Sequence, residues 1–245
     1  QRQMCIRDSI NKVLMTLNRL FFLAGCLLMG GMLQAQVADK QTYLSEFKKE
    51  MTLKWPENRT LNIVVHGHSV PTGYARTPIV NTLQAYPHLV FHALKTQYPY
   101  AVLNVITTSI GGEQAEHGET RFKDEVLTHR PDVLFIDYAL NDRNIGLERS
   151  EKAWRKMIES ALAQKLKVIL FTPTPDLKEN ILDDKTPLAG HAEMIRKLAA
   201  EYHVGLVDSY KLFKEKAENG EDLHKYMSQN NHPNSAGHSL SLIHI

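Results

Sequence analysis

The 245-residue chain contains only two cysteines, and neither falls in the part that reads as a folded domain. Cys5 lies in an atypical leader and Cys26 in an apolar segment with the anatomy of an export signal. A domain free of cysteine has no disulfide, no zinc–thiolate site and no cysteine nucleophile. Charge of one sign is lacking too. With 29 Lys+Arg against 27 Asp+Glu the formal net charge is +2, and no basic stripe makes the electrostatic case for a nucleic-acid partner. The longest apolar run, Leu20 to Leu33, has about 14 residues, short of the roughly 20 that a membrane-spanning helix needs. Internal repeats, low-complexity linkers, and GxGxxG or Walker patterns are absent as well, which removes repeat architectures and the commonest nucleotide sites. What remains, 43% hydrophobic and 23% charged residues, is ordinary globular composition and enough chain for one sizeable core.

Both ends stand apart. Residues 1–14 read as a non-native leader and 241–245 (SLIHI) as a non-native tail, because QRQMCIRDS and SLIHI resemble translated sequencing-adapter sequence joined to a reading frame that starts near Met15. Residues 15–35 read as a signal peptide: Arg19 supplies the positive region, an apolar core follows, and Ala35 offers a small residue for cleavage. Leu23-Ala24-Gly25-Cys26 is the alternative, a bacterial lipobox with a lipid anchor on Cys26, but apolar sequence continues beyond it. The expected localisation is secreted or periplasmic, or an outer-membrane lipoprotein if Cys26 is used. The domain itself is expected at 36–240, with its C-terminal helix cut short.

Within that domain, short apolar runs alternate with longer amphipathic ones. Strands are expected at 61–66, 101–107, 132–137, 166–171 and 204–207. Helices are expected at 79–97 (broken by Pro87), 113–128, 151–164, 189–202 and 209–218. Five strands separated by crossover helices predict an α/β protein with a doubly wound five-stranded parallel sheet.

In such sheets, function gathers beyond the carboxyl ends of the strands. After the first strand comes His66-Gly67-His68-Ser69-Val70-Pro71-Thr72-Gly73-Tyr74. After the second comes Ser109-Ile110-Gly111-Gly112-Glu113, and after the third Tyr138-Ala139-Leu140-Asn141-Asp142. Near the end stands Met227-Ser228-Gln229-Asn230-Asn231-His232-Pro233-Asn234. A hydroxyl, a glycine turn, an amide and an imidazole on one edge are the parts of acyl transfer: nucleophile, oxyanion donors and general base.

These four segments, in this order, resemble the conserved blocks of the SGNH (GDSL-type) hydrolases, from Ile63 to His238. The resemblance implies a flavodoxin-like three-layer sandwich and an esterase with no metal or organic cofactor. It implies Ser69 as nucleophile, His232 as base, and an oxyanion hole from Ser69, Gly112 and Asn141. Exported members often remove acetyl groups from glycans, so a carbohydrate O-acetylesterase is the expected subtype, acting on a small-molecule or glycan ester. A lipase or thioesterase is the alternative within the class. Outside it stands an exported glycan-binding relic that has lost turnover.

Two positions depart from the family pattern. His68 stands where an aspartate usually precedes the serine, and Gln229 stands where an aspartate usually lies three residues before the histidine. The second departure removes the acid of a triad. It leaves a Ser69–His232 dyad with Gln229 or a backbone carbonyl orienting the ring, or a carboxylate such as Asp222 brought in from elsewhere. Asp142 reads as structural rather than as the missing acid. Tyr74 is the aromatic best placed to line a substrate pocket. His66 and His68 form an H-x-H pair that could be half a metal site, but the further ligands such a site needs have no matching spacing. Pro71 occupies the second glycine position of a G-x-S-x-G elbow, which argues against an α/β-hydrolase fold.

Overall fold

The computed structural model describes residues 35–242. The expected leader, residues 15–34 of the expected signal segment with Cys26, and residues 243–245 of the expected tail lie outside the described residues. The apolar runs form β1 (Thr60–Gly67), β2 (Val102–Thr107), β3 (Val133–Asp137), β4 (Lys167–Phe171) and β5 (Gly205–Val207). They pair in the order β2-β1-β3-β4-β5, and every pairing is parallel. This is the flavodoxin-like order, with its switch point between β1 and β3. The fold class expected from the alternation of strands and helices is the one observed.

Side-chain alternation along the strands divides the core into two layers. Ile63, Val65, Phe135, Ile169 and Phe171 face one side; Val64, Leu134, Ile136, Val168 and Leu170 face the other. On the first side pack α1 (Ser45–Thr52), α3 (Tyr86–Gln97), α8 (Ser209–Glu218) and α9 (Ser235–Leu242). On the second pack α4 (Ala115–Glu125), α6 (Leu147–Ala163) and most of α7 (Pro187–Glu201). Trp154, wholly buried on α6, is the largest side chain of that layer. Strands covered on both faces read as unbroken apolar runs, which is why these were easy to find.

The differences from expectation collect near the strand ends. Residues 79–97 do not make one helix. A 3-10 turn at Thr82–Gln84 precedes α3, whose Pro87 sits in the first turn, where a missing N–H costs nothing. Residues 74–80 instead fold back as a tight loop, with Tyr74 bridging Val80 and Asn81 N–H donating to the Gly73 carbonyl at 2.7 Å. Two short helices, α2 (Ser69–Thr72) and α5 (Ala139–Asp142), and a small hairpin of β6 (Met227–Gln229) with β7 (His232–Pro233) carry the remaining motifs.

Candidate active site

Ser69 opens α2 directly after β1. His68 is the N-cap, its Nδ1 accepting from the Val70 N–H at 3.2 Å. Gly67 has no room for a side chain, since a Cβ there would strike the Asp137 carbonyl oxygen; this close approach locks the ends of β1 and β3 together. The serine is thus held on a rigid strand end, 5% exposed. His232, on β7, is 6% exposed, and its Nε2 lies 3.0 Å from Ser69 Oγ.

The other ring nitrogen, Nδ1, lies 2.9 Å from the carbonyl oxygen of Ala75 in the 74–80 loop. A carbonyl only accepts, so Nδ1 carries the proton and donates, and Nε2 keeps a free lone pair toward the serine hydroxyl. Burial lowers the His232 pKa below that of an ordinary histidine; the Ala75 bond acts the other way, and nearby His68 adds to the lowering. Of the two orienters the sequence leaves open, the backbone carbonyl therefore takes the place at the ring. Gln229 is corrected accordingly: its Oε1 accepts from Thr77 N–H at 2.9 Å and its Nε2 donates to Asn231 Oδ1 at 3.1 Å. It pins the loop that carries Ala75 and reaches the imidazole only at one remove. Asp222 is not the substitute acid either; it is exposed, caps the 223–226 turn and bonds His224.

Gly112 and Asn141 come together after β2 and β3. Gly112 has φ +79°, a left-handed turn with open space around it, and it is exposed. Asn141, at α5, donates from Nδ2 to the Glu113 carbonyl at 3.1 Å, so the amide and the glycine turn form one corner. Two buried carboxylates brace that corner. Asp142 accepts from Ala115 N–H at 2.7 Å, Ser150 Oγ–H at 2.7 Å and Trp154 Nε1–H at 2.9 Å, the structural role expected of it. Glu113 accepts from Tyr138 Oη–H at 2.6 Å and from both Nε and Nη2 of Arg121. Burial opposes the charge of Glu113, but the bonds from Arg121 and Tyr138 outweigh it, and its pKa is lowered.

His66 belongs to this second brace. Its Nδ1 faces Thr108 Oγ1 at 2.9 Å and its Nε2 faces Tyr138 Oη at 3.0 Å. Burial and, next, Arg121 push its pKa down to about 4. His68 points instead toward Ser69 and Asp137, so the H-x-H pair serves two separate groups of partners. Tyr74 lies against Gly111, and its ring centroid is 5.9 Å from that of His232, as a wall of the site. The sequence reading missed Asp137 and the Glu113–Arg121–Tyr138–His66 network. A carboxylate ending the apolar run Val133–Asp137 was the available signal for the first.

A hydroxyl paired with a correctly tautomerised imidazole, on a sheet edge that also carries a corner of amide donors, can carry out acyl transfer through a serine ester. That defines a class of serine hydrolases on a flavodoxin-like sheet, and comparison with known proteins gives the family. The model of the GDSL-like Lipase/Acylhydrolase family matches residues 65–240. The chain belongs to this family, the SGNH type that its four motifs resemble. The sequence matches none of the curated proteins compared. Among solved structures it is similar to a two-domain esterase (CEX) active on acetylated mannans, with a TM-score of 0.68 and 19% identity over 87% of this chain and 54% of that one. The chain thus spans about half the length of that protein. It is also similar to Axe2, an acetylxylan esterase from Geobacillus stearothermophilus (TM-score 0.65, 18% identity, 75% of this chain and 91% of that one). A third is the acetyl xylan esterase AlAXEase (TM-score 0.64, 22% identity, 75% and 97%).

Proposed function

We propose that this protein is an exported carbohydrate O-acetylesterase that works through a Ser69–His232 dyad. The observation that carries the reading is the 3.0 Å approach of Ser69 Oγ to His232 Nε2, with the ring's other nitrogen held by the Ala75 carbonyl. Similarity to esterases of acetylated mannan and xylan supports the substrate class, and the signal-like segment at 15–35 supports export.

In the first half-reaction the Ser69 Oγ–H proton passes to His232 Nε2 while Oγ bonds to the acetyl carbonyl carbon. The carbonyl oxygen becomes an oxyanion held by the N–H groups of Ser69 and Gly112 and by Asn141 Nδ2. The intermediate collapses by breaking the bond to the sugar oxygen, which takes the proton back from His232. Water then attacks the acetyl-serine ester, giving its proton to His232, and acetate leaves with Ser69 restored. The Ala75 carbonyl fixes the tautomer for each step but brings no full charge to the imidazolium. In a protease triad, disabling the acid costs about 10⁴ in kcat, an upper bound on what this arrangement gives up.

The test combines fluorophosphonate labelling with a screen of acetylated sugars and aryl esters of increasing chain length. Wild type should be labelled on Ser69 and should prefer acetyl esters, and Ser69→Ala should do neither while remaining folded. A preference for long acyl chains would favour a lipase, and absence of both labelling and turnover would favour a glycan-binding relic.

A further inference from the structure

Ser69 lies between two imidazoles. Besides His232, His68 approaches the serine hydroxyl: its Nδ1 is 3.4 Å from Ser69 Oγ. That nitrogen also accepts from the Val70 N–H, so it bears no proton, and a neutral His68 must carry its hydrogen on Nε2. Nε2 faces Asp137 Oδ1 at 3.4 Å, within ion-pair range but not aligned as a hydrogen bond. Both side chains are sealed: His68 is 1% exposed and Asp137 4%. The second Asp137 oxygen, Oδ2, accepts from Tyr86 Oη–H at 3.1 Å. The two histidines are thus set in opposite tautomers, each presenting an unprotonated nitrogen to the same hydroxyl. A backbone carbonyl backs one of them and a carboxylate backs the other.

We propose that His68 and Asp137 act as one positioning pair, in which Asp137 holds the His68 tautomer that caps α2 and aims Ser69, and supplies through that pair the negative charge that His232 lacks beside it. The proposal rests on the Ser69–His232 reading. A buried carboxylate favours a nearby imidazolium, and the imidazolium arises on His232 when Ser69 gives up its proton. Around His232 the other groups are the Ser69 hydroxyl, the Ala75 carbonyl, the Tyr74 ring, His68 and His238. His238 is held neutral by burial and, next, by His232, with its pKa down to about 4. Around Asp137 they are His68 and the Tyr86 hydroxyl. Among these described groups Asp137 is the one carboxylate.

The test is a charge-transfer pair of variants assayed on one activated acetate ester. Asp137→Asn keeps an acceptor for His68 but removes the charge. It should lower kcat by about tenfold, leave KM unchanged, and move the acid limb of the pH–rate profile to lower pH. His68→Asp adds a second carboxylate beside Asp137 and should cost more in both rate and melting temperature. The double variant H68D/D137N caps α2 with a carboxylate and restores a single charge. It should bring the rate to within a few-fold of wild type and return the acid limb to its place. A merely structural pair would change melting temperature without moving the acid limb. An unmoved limb in Asp137→Asn, or a double variant as slow as His68→Asp, overturns the proposal. Ser69→Ala, run alongside, separates this failure from that of the dyad itself: if it keeps full activity, the underlying reading falls first.

Discussion

The two sides of the candidate nucleophile are built on different principles. On the proposed oxyanion side, the Gly112–Asn141 corner rests on two buried carboxylates, Glu113 and Asp142, which between them collect hydrogen bonds from Arg121, Tyr138, Ser150, Trp154 and the α4 backbone. On the base side, the outer ring nitrogen of His232 is held by one backbone carbonyl in a loop, and that loop closes on its own backbone bonds and on one neutral side chain, Gln229. The difference teaches where rigidity is needed. Oxyanion donors work by being preorganised before charge develops, so they sit on a braced corner. The base must only keep its tautomer and its reach to the serine, which a single acceptor can secure.

This contrast can be broken experimentally, and the largest effect should come from the braced side. Asn141→Ala should lower kcat by roughly 10²–10³ with little change in KM, the usual cost of one oxyanion donor; steady-state kinetics on an acetate ester would check it. Next comes Glu113→Gln, which leaves the Arg121 guanidinium facing a neutral amide in a buried site. It should destabilise the fold by about 3 kcal/mol, read by denaturant unfolding, and slow turnover as the corner loosens. Smaller again is Gln229→Ala, which frees the Thr77 N–H; a loss of only a few-fold in kcat is expected, about the worth of one hydrogen bond. Gln229→Asp should leave the kinetic pKa where it was, because the side chain at 229 meets Thr77 rather than the imidazole. An upward shift in that variant would show that the loop rearranges to make a triad. The mildest effect is on pH. Since burial lowers the His232 pKa, the base stays neutral and active below the ordinary histidine value of about 6.5, and a pH–rate profile should place the acid limb there.

Much of this was readable from the residues. The five strands are buried on both faces, so their apolar runs were unambiguous, and their order of appearance with crossover helices dictated a parallel sheet. Ser69, Gly112, Asn141 and His232 each follow or flank an element end, and the structure gathers Ser69 with His232, and Gly112 with Asn141. The supporting groups were not readable. Ala75 acts through its carbonyl, which every residue possesses, so no side chain could mark it. Asp137 ends an apolar strand and gains its meaning only when β1 is laid beside β3, placing it across from His68. Residues 79–85 were misread as helix because the pull of Asn81 back onto Gly73 overrides local preference.

The proposed dyad joins residues 163 positions apart, and β7 follows all five strands of the sheet in sequence. During synthesis, a chain that has emerged only as far as β5 has every strand of the parallel sheet and a capped serine, yet still lacks His232. Contacts of such long separation are among the slowest to close, and domains organise from the N-terminus as they are made. On the proposed Ser69–His232 reading, hydrolytic competence is therefore acquired late: a partly made molecule would be a sheet whose serine still lacks its base.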